Sequence, residues 1–172
     1  MNDSPPGPVG RKPLRWVGYD YRMPAIYFVT ICTAGRKSLF GRVDGTGRLH
    51  ASRIGLGVSD AWYALPDRFP ELVLIAFVAM PDHVHGIVEI RPSQDDQAPL
   101  ALGQVISVFK SVANHSVRKM DERAGVSGSI WQQGYHDRVV RSDEELRQIE
   151  WYIKENPARW AASRMSADEM NG

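Results

Sequence analysis

The stretch Met80-Pro81-Asp82-His83-Val84-His85-Gly86-Ile87-Val88-Glu89-Ile90 decides how this chain is read. It follows an apolar run, Leu72-Val73-Leu74-Ile75-Ala76-Phe77-Val78-Ala79, and continues into further apolar sequence. Two such runs joined by a Pro-Asp turn signal predict adjacent strands of one sheet. Along a strand, residues i and i+2 point to the same face, about 6–7 Å apart. His83 and His85 therefore share one face, while Val84 packs on the other. Two imidazoles so placed are two thirds of a metal site, a pair of hydrogen-bond donors, or plain surface residues at a strand start. A third ligand and a reactive group elsewhere in the chain would decide between these readings.

Outward from this hairpin, the pattern alternates strands and helices. An N-terminal strand is expected at about 25–33, and short extended pieces flank the turn signal Asp44-Gly45-Thr46-Gly47. Ile54, Val58, Trp62 and Leu65 recur at helical spacing, and Pro66 and Pro70 end that helix. Residues 92–99 read as a polar loop. A second helix is expected over about 101–120, with Leu102, Val105, Ile106, Phe109 and Val112 on one face. A Gly/Ser turn at 125–129 leads to a short irregular strand through Tyr135-His136-Asp137-Arg138-Val139-Val140. Ser142 followed by Glu145 then signals a helix N-terminus with a capping box. Pro157 predicts a break at Asn156, with a short extra helix after it. This order predicts an α+β fold: a ferredoxin-like antiparallel sheet with helices packed on one face.

The chain of 172 residues has room for one domain with a true core. Residues 1–17 read as a flexible Pro/Gly/Ser-rich tail, 18–160 as the domain, and 161–172 as a frayed C-terminal tail. The single cysteine, Cys32, lies in an apolar run and reads as a buried thiol. No signal peptide and no run approaching membrane-spanning length is present, so a soluble cytoplasmic protein with no membrane partner is expected. The net charge is only +1, which argues against wholesale coating of nucleic acid. The charge is unevenly spread, however: 101–141 carry six basic and three acidic side chains, and 142–172 carry four and seven. Arg36, Lys37, Lys110, Arg138 and Arg141 are candidate phosphate contacts by charge and position; a solvated surface is the other reading for each.

The last helix supplies what the hairpin lacks. Tyr152 and Asn156 are four residues apart and so share a helical face. A phenol is a poor nucleophile at neutral pH because its ordinary pKa is about 10. A nearby cation would help by polarising the phosphate under attack. Asn156 offers a carbonyl oxygen which, with two imidazoles, makes a mixed N/O site suited to Mg²⁺ or Mn²⁺ rather than to structural Zn²⁺. On spacing alone, Tyr152 is also readable as a half-buried neighbour of Trp151, and Asn156 as a helix C-cap.

The segment Met80 to Val88 resembles the His-hydrophobic-His motif of HUH single-tyrosine transposases. The segment Trp131 to Arg141, followed by Trp151-Tyr152-Ile153-Lys154-Glu155-Asn156-Pro157, is similar to the REP-associated tyrosine transposases. The resemblance runs from about Tyr19 to Trp160 and implies the HUH endonuclease fold. It implies metal-dependent nicking of single-stranded or hairpin DNA, with strand transfer through a 5′-phosphotyrosine. It matches His83, His85 and Asn156 to the metal ligands and Tyr152 to the nucleophile, and it gives Asp82 and Gly86 no role. A monomer or homodimer associated with the nucleoid and acting on palindromic repeats is the expectation that follows. A DNA-binding regulator that keeps the fold but no longer cuts is the alternative.

Overall fold

Strand β1 (Ala25–Cys32) alternates between two apolar faces, and that sets the architecture. Tyr27, Val29 and Ile31 are wholly buried on one side, while Ile26, Phe28 and Thr30 point to the other. The computed structural model describes residues 25–92, 98–120 and 128–169. The tail expected over 1–17, most of the loop 92–99 and part of the turn 125–129 lie outside the described residues.

The chain runs β1, a hairpin of β2 (Gly41–Val43) and β3 (Leu49–Ala51), helix α1 (Arg53–Tyr63), β4 (Leu72–Met80), β5 (His83–Ile90), helix α2 (Leu102–Met120), β6 (His136–Val140) and helix α3 (Asp143–Glu169). The main sheet has the order β4-β5-β1-β6, and its neighbouring strands are antiparallel. The α+β class, the antiparallel sheet and the β4–β5 turn at Pro81-Asp82 are as the sequence predicts.

The helices do not all share one face. Trp62 of α1 and Phe109 of α2 pack with Tyr27, Val29, Ile31, Val84 and Val88. The opposite face carries Ile87 and Val140, which Ile149 and Ile153 of α3 cover together with Leu146 and Tyr152. A sheet apolar on both faces needs cover on both, and α1 and α2 can screen only one of them. The histidine face of β5 is therefore the face under α3.

Pro157 does not break α3, which is helical from Asp143 to Glu169 with Pro157 inside it. Proline at this position forfeits one backbone hydrogen bond. Ile153 and Asn156 before it and Ala161 after it are all buried, so tertiary packing holds the helix on both sides of the defect. At its start, the Glu145 amide donates to Ser142 Oγ (3.1 Å). The Glu145 carboxylate accepts from the Arg141 amide (2.8 Å), one residue before the position a capping box would use.

Two glycines set close approaches. A Cβ at Gly86 would lie 2.3 Å from Cζ2 of the fully buried Trp62, so the indole lies directly on the β5 backbone. Gly47, with φ +80°, touches Ala158 of α3, where a Cβ would come within 2.9 Å of its Cα. That contact seats the β2–β3 turn against the second half of α3. Gly86→Ala should lower stability by about 1–3 kcal/mol through overpacking, read as a fall in the urea midpoint. Gly45→Ala, which meets nothing within 4 Å, should leave the midpoint within error of the parent.

Candidate active site

The imidazoles of His83 and His85 meet on the α3 face of β5, with Nε2 to Nε2 at 3.1 Å. Each ring is held from behind. His83 Nδ1 donates to Asp82 Oδ1 at 2.6 Å, because an ionised carboxylate only accepts. His85 Nδ1 lies 2.8 Å from Oγ1 of Thr30, its cross-strand partner on β1. The Thr30 hydroxyl serves either tautomer of His85, since it both donates and accepts. Asp82 is anchored in turn: its backbone oxygen accepts from the Thr33 amide (2.9 Å) and hydroxyl (3.0 Å), and its Oδ2 pairs with Arg36 Nε at 3.0 Å.

Both rings are neutral at ordinary pH. Burial, then repulsion from the His83 ring when it is protonated and from Arg36, pushes His85 down to about 3. Burial also lowers His83, opposed by its hydrogen bond to Asp82. Asp82 holds the proton of His83 on Nδ1, which leaves the Nε2 lone pair directed at His85. Two such nitrogens 3.1 Å apart match neighbouring ligands of one cation with metal–nitrogen bonds of about 2.1 Å. Ligating histidines typically donate their other ring N–H to a carboxylate, backbone carbonyl or water, as His83 does to Asp82. Among the described residues no three His, Cys, Asp or Glu side chains form a metal cluster. The further oxygen donor at this place is the buried carboxamide of Asn156.

Helix α3 closes the site. Tyr152, Asn156, Arg159, Trp160 and Ser163 recur at helical spacing and line one cleft of about 410 Å³ with Thr30, Arg36, His83 and His85. The Tyr152 ring stands edge-on to His85 at 5.4 Å and to Phe28 at 6.2 Å. Trp160 lies 5.9 Å from the His83 ring. The Arg159 guanidinium sits over both Trp151 (5.1 Å) and Tyr152 (5.7 Å). The four residues expected to form the chemistry, His83, His85, Tyr152 and Asn156, thus come together at one cleft.

The five basic candidates separate. Arg36 reaches the cleft, and the turn that aims it holds Gly35 at φ 64° and Arg36 itself at φ 55°. Its Nη1 also contacts Cys32 Sγ at 2.8 Å. Lys37 is exposed just beyond it. Lys110 donates to the carbonyl oxygens of Gln132 and Gly134 and so ties α2 to the segment before β6; burial lowers its ammonium pKa. Arg138 pairs with Glu145, and Arg141 is exposed at the start of α3. Tyr135, the other tyrosine near this region, packs against the core on the α1–α2 side of the sheet.

Sequence reasoning missed Thr30, Asp82, Arg159, Trp160 and Ser163. A continuous helix would have shown the last three, because they extend the stripe of Tyr152 and Asn156. The expected break at Pro157 took them out of register. Thr30 becomes visible only through its pairing with His85 across the sheet. No helix among the described residues is long and apolar enough to cross a membrane.

Several known proteins are similar to this chain. A protein of Haemophilus influenzae described as uncharacterized is 29% identical over 174 residues, spanning 92% of this chain and 94% of that protein. Among solved structures, a REP-associated tyrosine transposase bound to a REP hairpin matches with a TM-score of 0.59 at 19% identity, over 84% of this chain and 74% of that one. A Deinococcus radiodurans protein solved as a candidate transposase matches with a TM-score of 0.52 at 18% identity, over 82% and 95%. These two structures share the fold. The profile of the family described as "Transposase IS200 like" matches residues 69–156, which hold β4, β5 and the four residues His83, His85, Tyr152 and Asn156. That match spans just over half of the 172 residues, and the chain belongs to the IS200-like transposase family.

Proposed function

We propose that this protein cuts and rejoins single-stranded DNA, with Tyr152 as the nucleophile. The observation that carries the reading is the convergence of Tyr152 and Asn156 from one helix on the paired Nε2 atoms of His83 and His85. A divalent cation, Mg²⁺ or Mn²⁺, held by the two Nε2 atoms and the Asn156 carboxamide oxygen, would polarise the scissile phosphate and offset its developing charge. The chain's own residues do the rest. Asp82 holds the His83 proton on Nδ1 and leaves its Nε2 lone pair free, and Thr30 orients the His85 ring. The Tyr152 oxygen attacks phosphorus, and its proton leaves to water. The bond from phosphorus to the 3′ oxygen breaks, and that oxygen takes up a proton. The products are a 5′-phosphotyrosine and a free 3′-OH. Strand transfer is the same exchange run in reverse with another 3′-OH, so the phosphodiester bond energy is retained and no nucleotide cofactor is needed.

The substrate class is palindromic repeat DNA presented as a hairpin with single-stranded flanks. This rests on the family and on the fold shared with a transposase solved on a REP hairpin. Arg36 and Lys37 at the cleft, with Lys110, Arg138 and Arg141, are the proposed backbone contacts. The protein acts at the nucleoid as a monomer or homodimer.

Three outcomes test this. Incubated with Mg²⁺ or Mn²⁺ and single-stranded DNA from repeats flanking its own gene, the protein should form a denaturation-resistant adduct that mass mapping places on Tyr152. Tyr152→Phe should bind the DNA with its melting temperature nearly unchanged and form none, whereas Tyr135→Phe should form it normally. Binding with no adduct in the parent protein would favour a non-cleaving regulator. His83→Ala and His85→Ala should each slow adduct formation by about a thousandfold while leaving the circular dichroism spectrum unchanged; parental rates in both would remove the metal assignment. Single alanine variants of the five basic residues should each flatten the salt dependence of binding, the slope falling by about 0.7 for every phosphate left without its cation. A residue whose variant keeps the parental slope does not neutralise a phosphate.

A further inference from the structure

We propose that Arg159 forms a phosphate-binding site on the nucleophile's own helix, which holds the phosphodiester joined to Tyr152 in the covalent intermediate. The inference rests on Tyr152 being the nucleophile.

Because α3 runs unbroken through Pro157, Arg159 stands seven residues, about two turns, beyond Tyr152 on the same face. Its guanidinium carbon is 5.7 Å from the centre of the Tyr152 ring and 5.1 Å from that of Trp151. Stacking on two rings restrains the long side chain before any ligand arrives, so less rotamer entropy is lost on binding. Of the other arginines near this site, Arg36 pairs with Asp82, Arg138 pairs with Glu145, and Arg164 lies over the Trp160 ring at 5.2 Å. No carboxylate among the described residues pairs with Arg159, although it is exposed at the cleft.

The remaining charges of the cleft leave this cation unbalanced. The charge of Arg36 is met by Asp82. A planar guanidinium offers two parallel N–H donors to two non-bridging oxygens of one phosphate, a geometry an ammonium lacks. Arg159 shares a rigid element with Tyr152, so it keeps its place beside the phosphorus once the phosphotyrosine has formed. Arg36 is built on the turn after β1 and has no such tie. Both half-reactions, attack by Tyr152 and rejoining by an incoming 3′-OH, then pass through a phosphate held by Arg159.

Single-turnover adduct formation and rejoining, each measured at saturating single-stranded DNA, test the site. Arg159→Ala should slow both steps by about 100-fold with an unchanged melting temperature. Arg159→Lys should recover only part of the loss, because charge returns without the fork. Arg147→Ala removes the same charge from an exposed position on the same helix, paired with Glu144, and should leave both rates as in the parent. Parental rates in Arg159→Ala, or an equal loss in Arg147→Ala, would overturn the phosphate site while the Tyr152 adduct still forms. Absence of an adduct in the parent protein would sink the nucleophile reading and this site with it.

Discussion

Everything at the cleft depends on the register between β1 and β5. Thr30 faces His85 only because Ala25 pairs with Ile90 and the ladder continues without a slip to Cys32 and His83. Side chains on a strand alternate, so a shift of one residue would send both histidines into the α1–α2 core and bring Val84 under α3. The register is held at both ends. Trp62 lies on the Gly86 backbone from one face, and the Thr33 amide and hydroxyl grip the Asp82 carbonyl oxygen at the turn. Phe40 donates its amide to Pro81 in the same turn. The hairpin that carries His83 and His85 is thus tied to its neighbours by backbone bonds as well as by packing.

The same register decides the electrostatics. Burying imidazoles beneath a helix strips their hydration and disfavours their charged forms. Neutral rings are the ones with a lone pair to give. Asp82 and Thr30 recover the hydrogen bonds that burial would otherwise cost, and they orient the rings as they do so. Asp82 is itself buried, and a lone buried carboxylate would be costly. Its pairing with Arg36 offsets that cost and brings the first cationic side chain to the rim.

Much of this was legible in the sequence. The β4–β5 turn, the pair at His83 and His85, and the stripe of Tyr152 and Asn156 follow from period and spacing, because each is local. What was not legible is relational. That α3 covers the histidine face depends on the opposite face being filled by Trp62 and Phe109, a matter of volume rather than pattern. The continuity of α3 past Pro157 depends on Ile153 and Ala161 being buried together, and a local rule about proline does not contain that. Asp82 carries no periodic signal, and its burial beside His83 is sustained by Arg36, which reaches it from a left-handed turn.

The uninterrupted α3 has a mechanical meaning. At about 1.5 Å per residue, the segment from Tyr152 to Ser163 spans roughly 16 Å of one stiff rod. Its start is clamped by Ser142 and Glu145, and its far half rests on the β2–β3 turn, where Gly47 meets Ala158. A rod fixed near one end behaves as a lever. Any tilt about the clamp moves Ser163 further than Tyr152, and it moves Tyr152, Asn156 and Arg159 together rather than one at a time. The residues that α3 gives to the cleft are accordingly set by the seating of one rod, and Gly47 against Ala158 is part of that seat.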